Sequence, residues 1–237
     1  MKLSEINKFS MDVGSWPEQR KGTGNTLSVT AVQKLNIFPE LYARAALVLP
    51  MNIITSVGHI GVSSFSVVIE FKDATSGDLY ARIQRQLVSI DTVTRKPVPL
   101  QFTQAELNDI PLSAKPVIVP QFTPTLDAST YIFKLCHSDS DDVYHMNQST
   151  YIRLCCDAAA NACNDGKLKN FSGDFFRYEV SGALVRNLGE SFPGDDVEVT
   201  VWEDHVDPNC LYFHISRLKK LIYSAKFHYF KPVASNL

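Results

Sequence analysis

The sequence predicts an α+β protein in which an antiparallel sheet wraps around a central helix, a unit that occurs twice along one chain. Three observations carry this expectation. An apolar, Ala-rich helical segment precedes a run of strand-like segments in the second half. The first half shows the same order more sparsely. Between them, six of the twelve prolines (Pro97, Pro99, Pro111, Pro116, Pro120 and Pro124) fall within 96–125, a stretch with little periodicity that reads as a linker. Small side chains on a helix let a sheet close around it. Because the repetition is one of element order and not of residues, it suggests internal duplication. The expected division is 1–110, a linker at 111–127, and 128–237.

In the first half, Leu35, Phe38, Tyr42, Ala45, Ala46 and Leu49 recur at helical spacing, with Pro39 tolerable in a first turn. Phe65, Val67, Ile69 and Phe71 then alternate with Ser64, Ser66 and Glu70, as on a strand with one buried face. Ser76-Gly77-Asp78 turns the chain into a further strand at about 79–90. In the second half, a β-prone run at 130–135 leads through an acidic loop into a helix carrying Tyr151, Leu154, Cys155, Ala158 and Ala162 on one side. Strands follow at about 175–186, 196–203, 210–219 and 221–230, the last alternating Leu221, Tyr223, Ala225, Phe227 and Tyr229.

Composition narrows the function classes. With 45% apolar and 20% charged residues in 237, the chain can bury a real core, which excludes disordered and fibrous classes. A net charge of −2 without a dense basic run argues against nucleic acid as a partner. No apolar stretch reaches the roughly 18–20 residues of a membrane span, and residues 1–16 lack the apolar centre of a secretory signal, so a cytoplasmic protein is expected. The five cysteines show no C-x-x-C spacing and read as reduced core thiols. His59, His137, His205, His214 and His228 stand in or beside strands at no ligand spacing, so structural roles are expected for them and no metal or redox cofactor is. Gly22 and Gly24 lack the third glycine of a dinucleotide loop, Gly61-Val-Ser63-Ser-Phe65 lacks the closing glycine of a nucleophile elbow, and no P-loop occurs.

One cluster has the parts for acyl transfer. In the run 138–151, Asp141 and His145 precede the helix, Asn147 is placed as its N-cap, and Tyr151 falls one turn in, on the apolar face. A carboxylate and an imidazole thus gather at a helix N-terminus. There, backbone N–H groups and the positive dipole end favour an oxygen that becomes negative when its carbonyl is attacked. Taken alone, an Asp-rich loop before a helix is also what a solvated turn looks like, with Asn147 only a cap.

The spacing Asp-x-Asp-x-x-x-His-x-Asn-x-x-x-Tyr, fitted by Asp139, Asp141, His145, Asn147 and Tyr151, resembles the signature of the 4-hydroxybenzoyl-CoA thioesterase branch of the hotdog-fold superfamily, which includes the plant fatty acyl-ACP thioesterases. The segment from Glu190 through Gly194-Asp195 resembles the family's Gly-Asp turn into its third strand, and that from Ser89 through Asp91 and Arg95 to Pro99 resembles the end of a hotdog unit. The resemblance covers roughly 30–100 and 128–232. It implies a double hotdog: two antiparallel sheets, each around a central helix, in one chain, standing as a monomeric pseudo-dimer or forming a homodimer. It implies an acyl thioesterase acting on acyl-CoA or acyl-ACP, with coenzyme A or acyl carrier protein present only as part of the substrate. Asp141 is then the catalytic carboxylate, as general base or as nucleophile, with the base favoured; His145 orients water or carbonyl; Asn147 holds the loop to the helix. Glu190 and Tyr144 are implied at the substrate.

The chain departs from the pattern in places. Tyr144 stands where the family has a small residue, His145-Met146-Asn147-Gln148 replaces its His-x-Asn-Asn, and Val143 replaces an Asn of the plant enzymes. The first half has no such cluster, which implies at most one complete site per chain. The alternatives are a hotdog enoyl-thioester hydratase or dehydratase, and a non-catalytic acyl- or lipid-binding double hotdog. Ser235-Asn236-Leu237 resembles a peroxisomal address, the alternative to a cytoplasmic location.

Overall fold

The structure, a computed structural model, describes residues 26–43, 50–101, 110–141 and 145–231. Tyr144, Val143, Ala45, Ala46, Leu49, residues 1–16 and the Ser235-Asn236-Leu237 end lie outside the described residues. Two compact units divide between Val119 and Pro120.

The first unit contains β1 (Thr26–Ile37), α1 (Pro39–Ala43), β2 (Met51–Ile60), β3 (Ser64–Asp73) and β4 (Leu79–Asp91). Its strands hydrogen-bond antiparallel in the order β2-β3-β4-β1. Two of these, β1 and β2, are strands that the sequence pattern did not reveal. Leu35, expected on a helix, is a buried residue of β1 paired with Ile83, and the helix begins only at Pro39, where a fixed φ and a missing N–H cost nothing. Phe65, Val67, Ile69 and Phe71 are buried as expected, but Ser66 and Val68 on the alternate face are buried too. At the β3–β4 turn, Asp73 Oδ1 accepts from the N–H groups of Thr75 and Ser76, at 2.7 and 2.8 Å. Described residues on either side of 102–109 in the proline-dense stretch are hydrogen-bonded to the first unit. Leu100 N–H donates to Val62 O at 2.8 Å, Ser113 and Ala114 donate to Val57 and Gly58 of β2, and Val117 N–H donates to Gln86 Oε1.

The second unit contains β5 (Ser129–Lys134), α2 (Gln148–Asn164), β6 (Val180–Asn187), β7 (Asp196–Glu203), β8 (Cys210–Arg217) and β9 (Lys220–Tyr229), with strand order β6-β9-β8-β7-β5. The expected strand at 175–186 is shorter. Phe175–Arg177 is a 3-10 turn capped by the Asp174 side chain, and its rings pack with Phe171, Tyr178 and Tyr229 instead of joining a ladder. Val199 and Val201 of β7, Leu211, Phe213 and Ile215 of β8, and Ala225 and Phe227 of β9 are essentially unexposed, and register places them on one face. Against that face lies α2, whose Tyr151 ring stacks on Tyr223 at 5.2 Å. Its Cys155, Ala158, Ala159 and Ala162 are fully buried, the close approach that small side chains permit. Of the thiols read as core residues, Cys155, Cys163 and Cys210 are buried and Cys156 is half-buried, whereas Cys136 is exposed because it opens the polar loop after β5. Among the described residues, no helix is long and apolar enough to cross a membrane.

The β8–β9 hairpin turns through Leu218 and Lys219 at φ 49° and 62°. A two-residue turn with positive φ at both positions normally takes Asn-Gly, and the left-handed region costs an ordinary side chain about 1–2 kcal/mol. The pair Leu218→Asn/Lys219→Gly should therefore raise stability by about 1 kcal/mol or more, seen as a higher urea midpoint with an unchanged slope. A lower midpoint would contradict this account of the turn.

Candidate functional site

The site is built on the junction between β5 and α2. After β5, Leu135 is buried, and its backbone exchanges two hydrogen bonds with the Gly194-Asp195 turn: Leu135 N–H to Asp195 O and Gly194 N–H to Leu135 O, both 2.9 Å. Gly194, at φ +90°, supplies the conformation that lets the turn meet β5 and open β7 at the next residue but one. A single 3-10 turn, His137–Asp139, follows.

Asp139 holds this corner. Its Oδ2 accepts from the Cys136 N–H at 3.0 Å and its Oδ1 lies 2.7 Å from Arg153 of α2, which also pairs with Asp157 one turn on. Its backbone carbonyl accepts from Asn147 N–H and from Thr150 Oγ1, each at 3.0 Å. The first Asp of the motif therefore anchors the loop to the helix. The loop between is closed on itself. Ser140 and Met146 form a bridge, Asp141 N–H donates to His145 O at 2.8 Å, and His145 N–H donates to Asp141 Oδ1 at 3.0 Å. Asp141 and His145 are thus brought together, with the Asp141 carboxylate exposed and oriented by the His145 backbone.

Asn147 is the N-cap of α2. Its Oδ1 accepts from Ser149 N–H at 3.0 Å and from Ser149 Oγ at 2.8 Å, and its carbonyl takes the Thr150 N–H at 2.9 Å. Among the described residues, none accepts from the Gln148 N–H at the first helical position, at the positive end of the helix dipole.

The loop's other wall comes from the segment between the end of β6 and the Gly-Asp turn. Gly189 runs so close to β9 that a Cβ there would sit 2.9 Å from Ile222 Cγ2, and Leu188 and Gly189 N–H both donate to Ile222 O. That approach delivers Glu190, half-buried, and Ser191, fully buried. Ser191 O accepts from Met146 N–H at 3.2 Å, and its hydroxyl bonds the Tyr151 hydroxyl at 2.8 Å. Burial pushes the Tyr151 phenol above its usual range despite the Ser191 bond, so it remains a neutral hydrogen-bonding group. Phe192 meets the His145 ring edge to face at 5.6 Å, while Arg217 lies 5.2 Å above the Phe192 ring and 2.6 Å from Asp195 Oδ2. Ser191, Phe192, Arg153 and Arg217 were not singled out from sequence. Only Arg153, four residues before Asp157, left a local signal there.

The described fold can be compared with solved structures. An acyl-ACP thioesterase from Bacteroides thetaiotaomicron superposes with a TM-score of 0.68 over 97% of this chain and 90% of its own, at 14% identity. The 12:0-ACP thioesterase from Umbellularia californica gives 0.69 over 96% and 88%, at 12% identity. The chain has the fold of the acyl-ACP thioesterases. At these identities, fold is what the likeness conveys; no protein-family model matches the chain, and no curated protein sequence does.

The Asn147 cap gives a test of how the site is held. Asn147→Ala should cost about 0.5–2 kcal/mol of stability, and Asn147→Ser should restore most of it, as read by urea denaturation. An Ala variant as stable as the parent would mean that the cap does not hold the loop.

Proposed function

We propose that this chain hydrolyses acyl thioesters to a free acid and a thiol, with acyl-ACP the first substrate class to try and acyl-CoA the second. The observation that carries the reading is the closed loop that presents Asp141 and His145 at the capped N-terminus of α2. The fold shared with acyl-ACP thioesterases over nearly the whole chain supports it. The same likeness supports reading the two units as tandem hotdogs divided near 111–127, with the site in the second unit only.

In this reading, the Asp141 carboxylate is the general base. It takes a proton from water as the water oxygen bonds to the thioester carbonyl carbon. The negative oxygen that forms faces the Gln148 N–H and the helix dipole. Collapse of the tetrahedral species breaks the C–S bond, and the leaving thiolate recovers the proton from Asp141. His145, braced by Phe192, orients the water or the carbonyl, and Asn147 keeps the helix start and the loop in register. Glu190, beside the buried Ser191, lines the substrate side, and Tyr144 belongs to the same loop. The steps call on no metal or redox cofactor.

Thiol release from a panel of acyl-ACP and acyl-CoA substrates, followed with a thiol reagent, tests this. The parent chain should turn over at least one class, and Asp141→Asn should lose about 10²-fold or more in rate with its fold intact. Full activity in Asp141→Asn would move the chemistry elsewhere. Hydration of an enoyl thioester without thiol release would replace the reaction, and ligand retention without turnover would make the chain a binding protein.

A further inference from the structure

In the second unit, α2 packs on one side of the sheet; the opposite side holds a different cluster. Cys210, the first residue of β8, is the register partner of His228 on β9. Both alternate with the unexposed Leu211 and Phe227, so their side chains leave the sheet on the face away from α2. The loop entering β8 brings a third group to them. Asp207 O accepts the Cys210 N–H at 3.1 Å and Asp207 Oδ1 accepts the Asn209 N–H at 3.0 Å. This turn fixes the carboxylate so that Oδ2 stands 3.1 Å from Cys210 Sγ and 3.2 Å from His228 Nε2. The three donor atoms lie within 4.8 Å of one another.

The surroundings resemble the support that metal ligands receive. The β6–β9 register shifts between Val180 and Gly182, and this bulge turns the Ser181 hydroxyl onto His228 Nδ1. A partner on one imidazole nitrogen orients the ring and commits the other, here the nitrogen facing Asp207. The neighbouring cation, Lys226, is engaged by Asp204 Oδ2 at 3.3 Å, and that carboxylate also accepts from Tyr212 at 2.6 Å. Its charge is therefore countered beside the cluster.

We propose that Asp207, Cys210 and His228 form a binding site for a divalent transition-metal ion, Zn²⁺ by the chemistry of its donors. One thiolate, one imidazole and one carboxylate make a mixed soft and borderline set that suits Zn²⁺ and its spectroscopic substitute Co²⁺, and does not suit Mg²⁺ or Ca²⁺. Ordinary Zn–O, Zn–N and Zn–S bonds at tetrahedral angles put O and N about 3.3 Å apart and O and S about 3.6 Å apart. The observed O···N separation of 3.2 Å matches the first, and the O···S separation of 3.1 Å is shorter than the second, so the Cys210 side chain moves outward by about half an ångström to take an ion. Asp207 and His228 retain 36% and 45% side-chain exposure, which gives an ion a route in and water a fourth position. On binding, Cys210 gives up its thiol proton to solvent and coordinates as thiolate. The site is separate from Asp141 in sequence, and it ties the loop before β8 to β8 and β9 without entering the proposed hydrolysis.

The test is titration of the full chain, stripped with a chelator, with Co²⁺ and then Zn²⁺. One equivalent of Co²⁺ should produce a thiolate-to-cobalt charge-transfer band that Zn²⁺ removes. The band should vanish in Cys210→Ser and in His228→Gln, and persist in Cys136→Ser, which removes the exposed thiol beside His137. Zn²⁺ should raise the Tm of the parent, and His228→Gln should weaken Zn²⁺ binding by at least about tenfold. His228 is half exposed, so its variant decides the matter even if Cys210→Ser fails to fold. The proposal is overturned if the parent gives no band, if the band survives His228→Gln, or if it disappears in Cys136→Ser.

Discussion

The backbone carbonyl of Asp139 accepts hydrogen bonds from both Asn147 N–H and Thr150 Oγ1, and that shared acceptor ties the loop carrying Asp141 and His145 to the first turn of α2. The Asp139 side chain adds a second tie through Arg153, farther along the same helix. Asp141 and His145 close on each other through one backbone bond and one bond from the His145 N–H to the Asp141 carboxylate, and Met146 is held to Ser191 from outside the loop. The placement of Asp141 and His145 is therefore set by the helix, and the helix is set by its packing. Its small buried residues let the sheet come close, and its Tyr151 reaches Ser191 through the core. Preorganisation of this kind lets a carboxylate act without a reorganisation cost at the moment of reaction.

The parts of this arrangement that were legible in the sequence are those where two local signals agree. For α2, the apolar spacing from Tyr151 to Ala162 and the Asn147 cap both pointed to the same start, and the structure begins the helix at Gln148. The strand after Gly194-Asp195 was likewise marked twice, as a strand-like segment from about 196 and by the resemblance of Gly194-Asp195 to a turn that opens a strand. Where one signal was missing, the reading slipped. β2 is mostly exposed, with Ile53 and Ile54 adjacent and both outside the core, so it shows no alternation to detect. In β1, Leu35 happens to stand at helical spacing from residues beyond Pro39, which extended a helix backwards through a strand. The β8–β9 turn is made by Leu218 and Lys219, neither a turn-former, and so could not be recognised as a turn from residue type.

Side-chain partnerships were less legible than elements, for a reason that applies throughout the chain. Ser191 and Tyr151 are 40 residues apart, and Cys210 and His228 meet only because of the β8–β9 register. No local pattern encodes such pairs; they depend on how strands align, and a shift of one residue would send each to the opposite face. Spacing alone gave His228 a structural role, whereas register sets it beside a thiol and a carboxylate. The two faces of one sheet thus present different chemistry. The inner face supports the loop bearing Asp141, and the outer face gathers sulfur, nitrogen and oxygen donors.

The central claim is that the start of α2 receives the thioester carbonyl while Asp141 faces its carbon. A crystal structure of the chain with a non-hydrolysable acyl thioester analogue tests this directly. The account predicts the analogue's carbonyl oxygen within hydrogen-bonding distance of the Gln148 N–H and its carbonyl carbon on the side of the Asp141 carboxylate, with room for one water between them. An analogue bound with its carbonyl away from the α2 N-terminus, and Asp141 turned to solvent, would contradict it.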